Sequence, residues 1–411
     1  MSFDLTTLGE IALGSDGAVD GPFGSNLKAS SYTESGIPVI RGSNLSLGLD
    51  EFKSDEFVYV DDDTYIRLAR SECLPQDIIF TKKGTLGQTG FVPQEPYSSY
   101  LISSNQMRLR VDPAKANPKY VYYWVSSKQA IDKIRGESEY TGVPKINLNY
   151  LKKLPISLPP LSYQNSAVKI LDSLNDKIAL NTQTNQTLEE MAQTIFKSWF
   201  VNFDPVKAKM NGEHPEGMDA ATASLFPDKL VESELGLIPE GWEPKQLKDI
   251  LELAYGKALK KTDRVEGNVP VYGSGGLTGY HNQSLVEGPG VIVGRKGTVG
   301  SVYWEPKAFF PIDTVFYVKP KAGYSLKYCH LVLQNLGLKN MNTDAAVPGL
   351  NRKNAYRLGV LTPSPVVLNK FNIIMQSFQC QIDANNVQST NLSLLRDILL
   401  PELLSGNLLI P

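Results

Sequence analysis

The chain has 411 residues, 42% hydrophobic and 20% charged, with a formal net charge of −2 at pH 7. That length supports two or three domains with their own cores. The composition excludes a membrane span, because no apolar run approaches the ~20 residues one needs. It also excludes a disulfide framework, because Cys73, Cys329 and Cys380 are scattered and odd in number.

Met1-Ser2-Phe3-Asp4 shows no basic segment followed by an apolar stretch, so no signal peptide is expected and a reduced cytoplasmic location is. Residues 1–155 read as a strand-rich mixed α/β domain. Short β-type runs at 37–40, 57–60, 77–81 and 106–111 are bounded by Gly, Pro and Ser. The pattern predicts a helix over 118–135, opened by Asn117 as N-cap and Pro118 in the first turn. Gly21-Pro22-Phe23-Gly24-Ser25-Asn26 and Lys82-Lys83-Gly84-Thr85-Leu86-Gly87 read as loops.

Pro155, Pro159 and Pro160 precede segment 156–205, where a long helix is predicted from about 162 to 200. Ala167, Ile170, Leu174, Ile178, Asn181, Asn185, Leu188, Met191 and Ile195 recur in steps of three and four. That is the seam of a helix packed along a second helix. Residues 206–242 are acidic and broken by Pro and Gly, which predicts an extended surface linker.

Residues 243–362 repeat the first domain. Lys296-Gly297-Thr298-Val299-Gly300 echoes Lys83-Gly84-Thr85-Leu86-Gly87, and Val269-Pro270-Val271 echoes Ile37-Pro38-Val39. Val347-Pro348-Gly349-Leu350-Asn351 echoes Val143-Pro144-Lys145-Ile146-Asn147. The offset falls from 232 (Pro38 to Pro270) to 213 (Gly84 to Gly297), then holds at 204 from Val143 to Val347 onward. Segment 363–411 carries the second seam at that same offset: Phe371, Ile374, Phe378, Ile382, Asn385, Ser389, Leu392, Leu395 and Leu399. The expected fold is α+β, with two mixed α/β domains, two long antiparallel helices in a coiled coil, and a pseudo-twofold internal repeat. The core of the helix pair is assigned to Ile170, Leu174, Ile178, Leu188, Ile374, Phe378, Ile382 and Leu392, with Asn181 and Asn385 setting register.

Catalytic templates fail along the whole chain. His214, His281 and His330 have no counterparts in the other copy. The stretch from Gly84 to Gly90 lacks the Lys-Ser/Thr of a phosphate loop. No Cys-x-x-Cys or His-x-x-x-His spacing offers a zinc site, and no metal or cofactor is expected on this chain.

Binding chemistry is better represented. Residues 212–243 hold eight acids and one base, whereas 319–370 hold eight bases and one acid, Asp344. A local basic surface can contact phosphates whatever the whole-chain charge. Basic residues on Gly-, Ser- and Asn-rich loops suit phosphates and base edges. The candidates in the first domain are Ser25, Asn26, Lys28, Arg41, Lys82, Lys83, Thr85, Lys145 and Asn147. In the second they are Lys257, Lys260, Lys261, Arg295, Lys296, Thr298, Asn351, Arg352 and Lys353. An interaction scaffold for protein or carbohydrate is the alternative, favoured by the acidic linker and the mild overall charge.

The chain resembles the specificity (S) subunit of type I restriction–modification systems over essentially its whole length. The motifs that carry the resemblance are Gly21-Pro22-Phe23-Gly24-Ser25-Asn26-Leu27-Lys28, Lys83-Gly84-Thr85-Leu86-Gly87 and Gly297-Thr298-Val299-Gly300. Trp199-Phe200-Val201-Asn202-Phe203-Asp204-Pro205, Leu225-Phe226-Pro227-Asp228 and the stretch from Ser233 to Trp242 add to it. The resemblance implies two target-recognition domains, each reading half of a bipartite double-stranded DNA sequence, and two spacer helices acting as a ruler. It further implies two modification (methyltransferase) subunits docked on those helices and recruitment of ATP-dependent restriction subunits. S-adenosylmethionine, ATP and Mg then belong to those partners. A specificity module of another restriction–modification class is a further alternative.

Overall fold

A computed structural model describes residues 3–49, 52–54, 57–141, 143–341, 349–408 and 410. Val347 and Pro348 of the repeated motif, and the acid Asp344, lie outside the described residues. The chain divides into two compact units, one of residues 1–181 with 387–411 and one of residues 182–386. Each unit therefore holds one globular domain and a stretch of both long helices.

In the first unit, the strands of the main antiparallel sheet run in the order Ala18–Asp20, Gln106–Leu109, Ile78–Thr81, Gln88–Phe91, Ser46–Leu47. A second sheet orders Val58–Val60, Ile37–Ile40, Tyr100–Ile102 and Glu72–Cys73, with its middle pair parallel. Asp4–Thr7 pairs with Pro155–Leu158, which brings the two ends of the domain together just before the first long helix. The strands Ile78–Thr81 and Gln106–Leu109 are buried at every position, because the two sheets and the helices cover both of their faces.

The second unit repeats this plan. Leu251–Tyr255, Val315–Pro320, Gly290–Gly294 and Val302–Glu305 form the main antiparallel sheet. Gly276–His281, Val269–Gly273 and Phe310–Pro311 form the smaller one, again with one parallel pair. Glu243–Gln246 pairs with Gly359–Thr362 as Asp4–Thr7 does with Pro155–Leu158, and Gly359 is Pro155 advanced by 204.

The predicted helix over 118–135 is two helices, Pro118–Val125 and Lys128–Gly136. Ser126 and Ser127 interrupt it, and the Ser127 hydroxyl accepts from the Ala130 amide at 3.3 Å as a new N-cap. Hydroxyl side chains compete with helical hydrogen bonding, and this pair does so where the chain must turn.

The connector over 206–242 is folded, which corrects the extended linker expected there. Asp204–Met210 and Ala220–Ser224 are helical, and Leu230–Ser233 with Gly236–Pro239 is a hairpin. Val206, Phe226, Ile238 and Trp242 are buried, and three of them join the second unit's core: Val206, Phe226 and Trp242. The acidic composition hid four apolar anchors, and anchors at irregular spacing leave no periodic signal.

The long helices are Leu161–Lys197 (37 residues) and Pro365–Ser405 (41 residues), roughly 55–60 Å each at 1.5 Å per residue. Their antiparallel pairing is visible in both units. Asn175 accepts from Arg396 at 3.0 Å, and Asn181 donates to Gln388 and Ser389 at 3.0 and 3.1 Å. Asn385 donates to Asn185, and Asn185 to Asn386, both at 2.9 Å. Asn181 and Asn385 are thus buried and satisfied, as register-setting amides must be. The seams depart from the expected pattern at one equivalent position in each helix. Met191 and Leu395 are 45% and 44% exposed, and burial moves to Ala192 and Phe196 in one helix, with Trp199 just past its end, and to Leu400, Leu403 and Leu404 in the other. The 3.6-residue turn drifts out of a strict 3.5 repeat once the helices leave each other and pack on their domains.

Candidate nucleic-acid interface

The basic loops are built alike in the two copies. In the first unit, the Gly84 amide donates to Pro144 O at 3.2 Å, the Ile146 amide to Lys82 O at 3.0 Å, and Lys83 bridges Lys145. In the second, the Leu350 amide donates to Arg295 O at 2.8 Å and Lys296 bridges Gly349. Advancing the loop by 213 and the clasping strand by 204 maps the last two of these contacts onto each other.

Gly84, Gly87, Gly297 and Gly300 all have positive φ. A Cβ on Gly87 would meet Ile131, and one on Gly300 would meet the backbone of Leu338, at 2.7 and 2.3 Å. The second glycine of each loop therefore serves close packing inside its own domain. A strand, Gln88–Phe91, follows the first loop, so it is no phosphate loop.

In the first unit, Arg41, Lys83 and Thr85 line one open polar basin of about 390 Å³. Gln88, Ser103, Ser104, Asn105 and Gln106, which the sequence did not single out, complete it together with Tyr32, Gly42 and Thr81. The Ser-Ser-Asn-Gln run was the available signal, since amide side chains can read base edges. The Gln88 amide donates to Leu45 O at 3.2 Å, which fixes its plane.

Ser25, Asn26 and Lys28 stand exposed on a separate turn beside Phe23 and do not line the basin. Arg67 holds the Asn26 carbonyl at 3.0 Å. Lys82 is ion-paired with Asp20 at 3.0 Å. Lys145 lies half-buried in the clasping strand. Asn147 caps the helix Leu148–Lys153 by accepting from the Tyr150 amide at 2.8 Å.

In the second unit, Asn351 does the same for Arg352–Tyr356, accepting from Lys353 and Asn354. Both asparagines thus have a local structural task that occupies the side-chain carbonyl. Lys257, Lys260 and Lys261 are exposed on the loop after Leu251–Tyr255, and Lys296, Thr298 and Lys353 are exposed as well. Arg295 and Arg352 both lie against the ring of Tyr255, at 5.0 and 4.5 Å from its centre. Tyr255 was not among the expected residues; an aromatic interleaved with bases in space carries no mark in the linear sequence.

Each domain is also tied to the first long helix through one repeated cluster. Lys119 sits over Phe91 at 4.9 Å and Lys327 over Trp304 at 5.0 Å, and Trp304 is Phe91 advanced by 213. Lys119 lies 3.8 Å from Asp172, and Lys327 donates to both carboxylate oxygens of Glu189 at 2.8 Å. Tyr122 packs on Phe91, and His330 on Trp304. Burial, with Lys327 nearby, lowers the His330 pKa to about 3, so this imidazole is neutral and structural. His281 is buried too, its Nδ1 accepting from the Val265 amide at 3.1 Å.

Two copies of a basic-loop domain carried on paired long helices define a protein built by internal duplication for recognition. The sequence profile of the type I restriction modification DNA specificity domain matches residues 30–190 and 239–358, more than half of the chain, and the chain belongs to this family of type I restriction–modification specificity subunits. It is 25% identical over 378 residues to the type I restriction enzyme HindI specificity subunit of Haemophilus influenzae, covering 75% of this chain and 82% of that one. It is 23% identical over 323 residues to the MjaIX specificity subunit of Methanocaldococcus jannaschii, covering 71% and 69%. Its fold is that of the type I restriction–modification S subunit from M. genitalium, with a TM-score of 0.55 at 17% identity over 98% of this chain and 96% of that one. No helix among the described residues is long and apolar enough to cross a membrane.

Proposed function

We propose that this chain reads a bipartite double-stranded DNA sequence, one half with each domain, and carries no catalytic activity of its own. The repeated basic loop is the observation that carries this reading: Lys82-Lys83 and Arg295-Lys296 are presented by like hydrogen bonding in two copies of one domain. The long helices set the spacing of the half-sites, with Asn181 and Asn385 fixing their register. Domain limits at 1–155, 156–205, 206–242, 243–362 and 363–411 follow from that division of labour.

Two modification subunits dock on the helices and restriction subunits join them. S-adenosylmethionine, ATP and Mg act on those partners. Exposed Val387, Leu394 and Ile398, spaced seven and four apart on one helix face, support such docking.

DNA affinity of the full chain should fall steeply with salt, because phosphate neutralisation releases counterions. A flat salt response counts against the reading, as does DNA methylation by the chain with S-adenosylmethionine alone. Removing one heptad centred on Gln183 and the facing heptad centred on Val387 should shorten the gap between half-sites and leave the half-sites unchanged. Altered half-sites would refute the spacer role.

A further inference from the structure

Strand register makes two unlike residues equivalent. In the first unit Asp20 pairs with Met107, and Met107 with Phe80. In the second Tyr255 pairs with Phe316, and Phe316 with Val293. Lys82 and Arg295 each follow two residues after the third member of these rows. Asp20 therefore corresponds to Tyr255, and Lys82 to Arg295. At offset 204, Leu148 corresponds to Arg352.

The consequences differ in sign. Asp20 neutralises Lys82 at 3.0 Å. Tyr255, 49% exposed, instead carries two guanidiniums on its ring. Arg295 Nη1 donates to Asp313 O at 3.0 Å and Arg352 Nη1 to Leu253 O at 3.3 Å. Among the described residues no carboxylate lies within ion-pair distance of either arginine.

A guanidinium set over an aromatic ring and pinned by one N–H keeps the rest of its planar fork of donors for an outside partner. The guanine edge, with O6 and N7 in one plane, matches such a fork, whereas a phosphate is served as well by a lysine. Resting on the DNA reading above, we propose that Arg295 and Arg352, clamped on Tyr255, are specificity-determining residues that read guanine in the second domain's half-site. The equivalent position of the first domain, with its cation neutralised and Leu148 in place of the second arginine, makes no such contact.

The test selects duplexes from a random pool with the full-length chain and sequences what is retained. Wild type should retain two half-sites, and Arg295→Lys and Arg352→Lys should each degenerate guanine positions in one half only, by about 5- to 150-fold in preference. Their salt dependence should match wild type, since charge is kept. Tyr255→Phe should keep the preference and Tyr255→Ala should lose it, with thermal unfolding confirming that each variant is folded. If both Arg→Lys variants retain the wild-type sequence, or lose bases in both halves, the guanine assignment is overturned. If wild type itself retains no sequence, the DNA reading falls first.

Discussion

The two domains share a frame and differ in what the frame presents. Lys119 over Phe91 and Lys327 over Trp304 are one cluster drawn twice, and the backbone clasp of each basic loop is repeated with it. On that shared frame, one copy offers an ion-paired Lys82 and the other Arg295 and Arg352 over the Tyr255 ring, with no carboxylate among the described residues within ion-pair distance of either. Buried contacts are held by packing, where a change costs kilocalories, while the loop surface changes at little cost. The copies differ in the core as well, at Ala167 and Phe371 and at Tyr122 and His330, but there each difference is bound to its packing.

The largest test of that frame concerns the seam. Phe371 is buried among Phe196, Trp199, Phe200 and Tyr328, whereas its equivalent Ala167 fills a smaller space. Phe371→Ala should cost about 3–5 kcal/mol in denaturant unfolding. Ala167→Phe should cost about 1–3 kcal/mol by overpacking. If Ala167→Phe were neutral, the two copies would not differ in packing there.

Next in size is a pH effect confined to one copy. Counted from the helix caps Asn117 and Ser325, His330 takes the place of Tyr122. The unfolded chain protonates this histidine near pH 6.5, but the folded chain only near about 3. Protons therefore favour unfolding between those values. Stability should drop as pH falls through that window, with up to about 1.4 kcal/mol per pH unit from this residue. His330→Gln should flatten the curve; an unchanged slope would mean that the imidazole is not held neutral.

Smaller still, Asp20→Asn should release Lys82 and make the first copy resemble the second, raising DNA affinity a few-fold and steepening its salt dependence by roughly one phosphate contact. No change in either would show that Lys82 lies off the DNA. Smallest, Asn181→Ala and Asn385→Ala should each cost about 1 kcal/mol, and by similar amounts, because each loses one amide network in the seam. A large inequality would break the equivalence of the two positions.

Periodic features were legible in the sequence. Regular spacing announced the long helices, and the repeat offsets announced the duplicated loops, since both follow from the geometry of a single chain. Aperiodic features were not. Phe226 and Trp242 gave no sign that the acidic connector folds onto the second core. Met191 and Leu395 kept apolar character at positions the helices turn outward, because the pattern cannot tell where one packing partner replaces another. The basin residues Gln88, Asn105 and Gln106 come from two strands and a loop, and adjacency across a sheet leaves no trace along the chain.

What the sequence determined by itself was the duplication, the helix pair with amides on its seam, and the type I specificity-subunit family. Tertiary structure alone decided which base is paired with a carboxylate and which bases lie over an aromatic ring. Asp20 and Lys82 are 62 positions apart, and Tyr255 and Arg352 are 97 apart. Whether a cation is neutralised or stacked depends on what lies within about 5 Å of it, and only strand register brings such distant residues to that range.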